Sequence, residues 1–301
     1  MTEPGSVDSG EAAGRSVSPR GWKWFPRIAA FVGIFLAAMF VLLQVLALLG
    51  APAPSSAEAG ELLSAWNVLA MVGAALLASW GGQVGLSRRR FVDLGLPGGP
   101  RGLRDLAIGG FLGVAILGAV VLVMIAFGWL SWVADGTAGS SSMAAIKLAL
   151  ILMGAAFVEE LLFRGYPFQV MERRFGAVAA LVTTSLFFSA AHGLNPNAAA
   201  LPLINIGLAG LLLGVAYWRT RSLWFATGVH AGWNWVMAVS ELSVSGLDFE
   251  MPGFDPMVSG PDVLTGGAFG PEGGLLVSLA SIAAIVWMWR WRPEIESLSR
   301  R

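Results

Sequence analysis

The sequence predicts an all-α, polytopic membrane protein with about eight transmembrane helices and both termini in the cytoplasm. Three observations predict it. The chain of 301 residues is 56% hydrophobic and 13% charged, with mean hydropathy +0.70, whereas soluble domains carry about 25% charged residues. Its apolar residues gather into runs near the ~20 residues that cross a bilayer. When successive runs alternate in direction, all but Lys147 of the 19 lysines and arginines fall on one side, which is the bias that orients membrane proteins.

Residues 1–26 are rich in Ser, Gly, Pro and charge and read as a disordered cytoplasmic tail. The membrane domain follows over 27–292, and 293–301 form a short cytoplasmic tail. The first span runs from about Ile28 to Leu49. It exceeds the core of about 7–15 residues in a cleaved signal peptide, so it reads as an anchor. The second covers Ala65 to Leu86 and the third Leu106 to Val133. The fourth starts near Ala144 and reaches Glu159, Glu160 and Arg164. Ala177 to Ala191, Leu201 to Trp218, Leu223 to Val239 and Leu275 to Trp291 complete the set.

The basic segments between spans hold Arg88, Arg89, Arg90, Arg173, Arg174, Arg219 and Arg221, and the opposite segments are acidic, with Glu241, Asp248, Asp255, Asp262 and Glu272 among them. Tryptophans such as Trp24, Trp129, Trp132, Trp218, Trp224 and Trp291 stand at span ends as headgroup anchors. The acidic, turn-rich stretch Glu241–Gly274 reads as a solvated connector, with a lid over the site as the alternative, and it lacks the phosphate-loop pattern. Asn195, Asn197 and Asn205 receive no role. With no cysteine, the chain has no disulfide, no thiolate nucleophile and no sulfur-ligated zinc. A nucleic-acid partner is not expected; membrane lipid is.

Ionisable groups inside spans are costly and mark function. Here they fall in three places: Glu159, Glu160 and Arg164 in the fourth span, His192 at the end of the fifth, and His230 with Asn234 in the seventh. Both histidines of the chain are in this set. Glu160 and Arg164, four residues apart, share a helix face and pair; Glu159 points about 100° away. His230 and Asn234 likewise share a face. Counted from the basic turn near Gly176 along unbroken helices, Glu159 and His192 climb to the same level, roughly 22–24 Å at ~1.5 Å per residue. Pro167 is expected to bend the fourth helix.

A carboxylate facing an imidazole can position and deprotonate a water, and a His and Asn pair can hold an oxyanion. The same groups can instead bind a metal, since two histidines and a glutamate form a common zinc shell. They can also relay protons in a coupled transporter, or persist in a non-catalytic scaffold. The sequence therefore requires no cofactor, and zinc stays open.

Three motifs in order, Glu159-Glu160-xxx-Arg164, Phe188-xxx-His192 and His230-xxx-Asn234, resemble the EExxxR, FxxxH and HxxxN of the CPBP family, also called the Abi or type II CAAX prenyl endopeptidase family. The resemblance covers about residues 145–240. It implies an eight-helix intramembrane endopeptidase, a hydrolase acting on a membrane-associated or prenylated, CAAX-like protein or peptide, and a multi-pass protein of a prokaryotic cell membrane. By the resemblance, Glu159 and His192 hold the attacking water and His230 and Asn234 form the oxyanion site, while Glu160 and Arg164 support the helix. In a metal-dependent version, Glu159, His192 and His230 would be the ligands.

Overall fold

The structure, a computed structural model, describes residues 23–51, 64–134, 141–249 and 253–291. It is mostly helical. Helices α1 (Trp24–Leu48), α2 (Ala65–Trp80), α3 (Gly99–Ala126), α4 (Ser141–Glu160), α5 (Tyr166–Phe175), α6 (Ala177–Ala191), α7 (Ala200–Thr220), α8 (Leu223–Val239) and α9 (Leu275–Arg290) follow the chain. The greater part of each apolar run lies on one of these helices, with α5 continuing the fourth run. Among the described residues, four segments, Trp24–Leu48, Ala65–Leu86, Phe91–Ala126 and Ala200–Thr220, are long and apolar enough to cross a membrane; α6 and α9 are apolar but shorter. The tail read over 1–26 lies outside the described residues up to Trp22, and its last residues join α1, which starts at Trp24. The tail read over 293–301 lies outside them entirely.

Local chemistry sets the helix ends. Ser64 and Ser222 cap α2 and α8 by accepting from the backbone N–H of Asn67 and Phe225. Pro100 occupies the first turn of α3, where no N–H partner is lost. Arg221 takes a left-handed conformation at φ 53° to end α7, and two short bonds of 2.7 Å to the Glu172 carboxylate secure it there. Those hydrogen bonds raise its guanidinium above the ordinary value against the opposing effect of partial burial.

Two expectations are corrected. The third helix stops at Ala126, and Leu130–Ala134 form a strand, β1, instead of continuing to Val133. Gly128, at φ +69°, turns the chain out of the helix. β1 pairs antiparallel with β2 (Phe254–Val258), Leu130 lying opposite Val258 and Ala134 opposite Phe254, so a small ribbon is added to the all-α plan. The fourth helix is also not continuous. After Glu160 it widens into a π turn over Leu161–Gly165, and Gly165 at ψ −124° breaks it before Pro167 enters the first turn of α5. A constant rise per residue does not carry through this break, so the counted depths do not transfer.

Charge sorts the two ends. Arg219, Arg221, Glu172 and the Arg90–Asp93 pair lie where α5, α7, α8 and the 91–94 turn meet. Gln169 ties that end together, donating to the Asp93 carbonyl and the Tyr217 hydroxyl at 2.8 and 2.9 Å. At the other end, Trp132 donates from the ribbon to the Ser240 carbonyl.

Helix α8 runs through both apolar cores, with Val229 in one and Trp233 in the other. Its largest contact is with α3, across a seam of glycines. A Cβ added at Gly113 would run into the Val229 carbonyl, one at Gly232 into the Gly110 carbonyl, and one at Gly228 into the Leu106 carbonyl. Small residues let membrane helices approach this closely, and packing then replaces the missing hydrophobic effect. His230 sits between Gly228 and Gly232, so the seam fixes the helix that carries it. We expect Gly113→Ala to cost about 1–3 kcal/mol by overpacking, read as a lowered thermal unfolding midpoint in detergent. Gly33→Ala, where the added carbon meets open space within α1, should not lower the midpoint, since Ala is the better helix former.

Candidate active site

The site is assembled from the end of α4, the π turn, the end of α6 and the middle of α8. Glu160 and Arg164 face one another across the π turn, with Nη1 2.9 Å from Oε1 and both side chains fully buried. Arg164 also donates from Nη2 to the Gly210 carbonyl at 2.8 Å, and its guanidinium lies 4.5 Å from the Phe188 ring centre. A buried guanidinium is tolerated only with such partners. It thereby joins α4 to α6 and α7.

The carboxylate of Glu160 has a second task that the spacing did not reveal. Its Oε1 also accepts from Nδ1 of His230, at 3.0 Å. The other ring nitrogen, Nε2, lies 3.7 Å from Oε2 of Glu159, too far for a direct hydrogen bond. The two adjacent glutamates thus address the two sides of one imidazole. Glu160 fixes its orientation from behind, and the half-exposed Glu159 faces it from the cavity.

His192 closes α6. Its Nδ1 lies 2.8 Å from the Phe188 carbonyl. A carbonyl can only accept, so Nδ1 carries a proton, and in the neutral form of the ring the lone pair is on Nε2. The Phe188 ring packs against both imidazoles, with centroids 4.7 Å from His192 and 5.9 Å from His230. Glu159, His192, His230 and Asn234 all line one cavity of about 320 Å³, whereas Glu160 and Arg164 stand behind its wall. The structure therefore brings together all four side chains read from the sequence as one site.

Residues 141–236 match the family model of type II CAAX prenyl endopeptidase Rce1-like proteins. The match supports assignment to the CAAX protease (CPBP) family. No curated protein matches the chain. The Rce1-like segment contains Glu159, Glu160, Arg164, His192, His230 and Asn234, and it spans the whole arrangement from α4 to α8.

The metal version finds no geometric support in this segment. Among the described residues, no group of three or more His, Asp or Glu side chains is placed to hold a metal ion. Glu159, His192 and His230 share the cavity but do not form such a group.

The Rce1-like segment does not supply the whole cavity. Ser245 and Glu272 line it from the stretch after α8, which corrects the reading of Glu241–Gly274 as a solvated connector. Phe269 through Gly274 are buried, and Asn195 and Asn205 hold this stretch through the Ser245, Glu272 and Gly274 carbonyls. An acidic side chain in a glycine-rich loop has no periodicity to mark it. The only signal was composition, in that a glutamate follows Gly270-Pro271 where the chain is otherwise nearly free of side chains that resist close packing.

Glu160→Gln leaves the buried Arg164 guanidinium without its charge partner, and should cost about 3–5 kcal/mol of stability. Glu159→Gln, which removes no buried ion pair with Arg164, should lower the thermal unfolding midpoint far less. Equal midpoints for the two variants would contradict the assignment of Glu160 as the structural carboxylate.

Proposed function

We propose that this chain is an intramembrane endopeptidase that hydrolyses a peptide bond of a membrane-associated or prenylated, CAAX-like protein or peptide, using a water activated by Glu159 and His192. The observation that carries the reading is the common cavity. A carboxylate, an imidazole with an open Nε2 acceptor, a second imidazole braced from behind and a carboxamide line it, in a chain with no thiolate. The family match over 141–236 supports the same class of chemistry.

In this mechanism a water sits between Glu159 and His192, donating one hydrogen to the carboxylate and the other to Nε2 of His192. As its oxygen attacks the carbonyl carbon, a proton passes to Glu159 and the carbonyl π electrons move to the oxygen. Asn234 Nδ2–H and, in the imidazolium form, His230 Nε2–H donate to that oxyanion, while the Nδ1–H of His230 stays on Glu160. Collapse of the tetrahedral intermediate breaks the C–N bond, and Glu159 returns the proton to the leaving amine. The low-dielectric surroundings strengthen each of these interactions.

The same reading takes the eight helical segments as spans with both termini cytoplasmic. The basic residues of the α5–α8 end and the acidic residues of the ribbon side support that orientation.

Reconstituted protein assayed on fluorogenic membrane-anchored peptides, prenylated and not, tests the proposal. Glu159→Ala and His192→Ala should each lower kcat by about 10²–10⁴-fold, and Asn234→Ala by about 10²–10³-fold. A chelator should leave the rate unchanged. Cleavage that survives in both Glu159→Ala and His192→Ala would overturn the site. Proton-coupled uptake without cleavage would replace the endopeptidase with a transporter.

A further inference from the structure

The buried carboxylate of Glu272 is not used by this mechanism. Its side chain is 4% exposed and reaches the cavity that holds Asn234 and His230. Three neutral donors converge on it. Trp233 Nε1 donates to Oε1 at 2.9 Å, and the backbone N–H and hydroxyl of Ser245 donate to Oε2 at 2.8 and 2.7 Å. Its own backbone carbonyl accepts from Asn205 Nδ2 at 2.7 Å. One residue therefore ties together α8, the turn after α8, and α7.

The glycines around it serve this placement. Gly266 and Gly270 have φ of +97° and +85°, where side chains are strained. A Cβ at Gly270 would also strike the Ser243 carbonyl, and one at Gly266 the Gly270 carbonyl. The stretch folds back on the turn after α8 closely enough to carry Glu272 inside.

Only a carboxylate satisfies this set of partners. Both of its oxygens accept, and the two sides are met by donors from different parts of the chain. A carboxamide would turn an NH₂ toward either Trp233 or Ser245 and leave donor facing donor. Trp233 adjoins Asn234 and lies one helical turn from His230, so a bond to its indole holds the segment of α8 on which both groups ride.

We propose that Glu272 is a positioning residue, latching the stretch 266–274 and the turn 242–249 to one another over the cavity and fixing the turn of α8 that carries Asn234. The closing role is independent of what the protein does; the positioning role rests on the endopeptidase reading.

The absence of cysteine from the chain allows a direct test on the full-length protein in detergent. Ala209 is buried and lines the cavity, so Ala209→Cys places a single thiol inside. Its rate of modification by a small charged methanethiosulfonate reads closure whether or not any peptide is cleaved. With Glu272→Gln added, modification should accelerate about tenfold, as loss of a buried hydrogen-bonding partner opens the stretch. If Glu272→Gln does not fold, Ser245→Ala, which removes one of the three donors, carries the test with an expected acceleration of about threefold. An unchanged rate in the folded variant overturns the latch. For positioning, kcat of Glu272→Gln should fall about tenfold with KM within about twofold, since substrate binding is kept while alignment is lost. An unchanged kcat in a variant whose cavity labels faster overturns the positioning role and leaves the endopeptidase reading standing.

Discussion

Everything at the centre of this protein depends on one buried oxygen. Oε1 of Glu160 accepts from both the Arg164 guanidinium and the His230 imidazole. In a low-dielectric interior, an arginine without a carboxylate is prohibitively costly, and a carboxylate without donors is nearly as costly. The triad Arg164–Glu160–His230 resolves both costs in one arrangement, and in doing so joins α4, the π turn and α8. Through Nη2 the arginine also reaches the Gly210 carbonyl of α7, and its guanidinium lies over the face of Phe188 on α6, while its buried Nε has no hydrogen-bond partner. Helix α4 with its π turn, α6, α7 and α8 are thus keyed to one another by a single charge cluster. Such networks confer a specific arrangement more than raw stability, because each member is worth little without the rest.

Packing makes this electrostatic arrangement precise in space. The α3–α8 seam admits backbone carbonyls where a side chain would otherwise stand, so α8 has little freedom to slide or rotate. His230 and Asn234 project from it into the cavity. On the opposite wall α4 ends with both glutamates directed at the same imidazole, just before the π turn and the break at Gly165. Glu272 completes the enclosure from the far end of α8. The result gives the adjacent glutamates two separate places, with Glu160 buried against Arg164 and Glu159 facing the cavity.

Much of this was legible in the residues. Apolar runs located every long helix, because burial in a membrane leaves a composition signal that survives without any partner information. The i, i+4 spacing exposed the Glu160–Arg164 pair, and the rarity of ionisable groups in apolar runs singled out His192, His230 and Asn234. What stayed hidden involves partners distant in the chain. The Glu160–His230 bond joins residues 70 apart, and the Trp233–Glu272 bond joins residues 39 apart; no local periodicity encodes either. The ribbon was concealed for another reason. Leu130–Ala134 is apolar enough to extend the third run, and only the turn at Gly128 diverts it into a strand. Glu159 and His192 line one cavity, but the π turn does not allow the continuous helix along which their depths were counted.

The chain contains two histidines, which makes the central claim accessible to one spectrum. With ¹⁵N-labelled histidine in the detergent-solubilised protein, His192→Gln assigns the signals that remain to His230. The account predicts that Glu160→Gln shifts the His230 Nδ1 resonance, because the acceptor of that proton is altered, while the His192 signals, held by the Phe188 carbonyl, stay in place. A His230 ring resonance that does not respond to Glu160→Gln in folded protein would contradict the claim that Glu160 orients this imidazole.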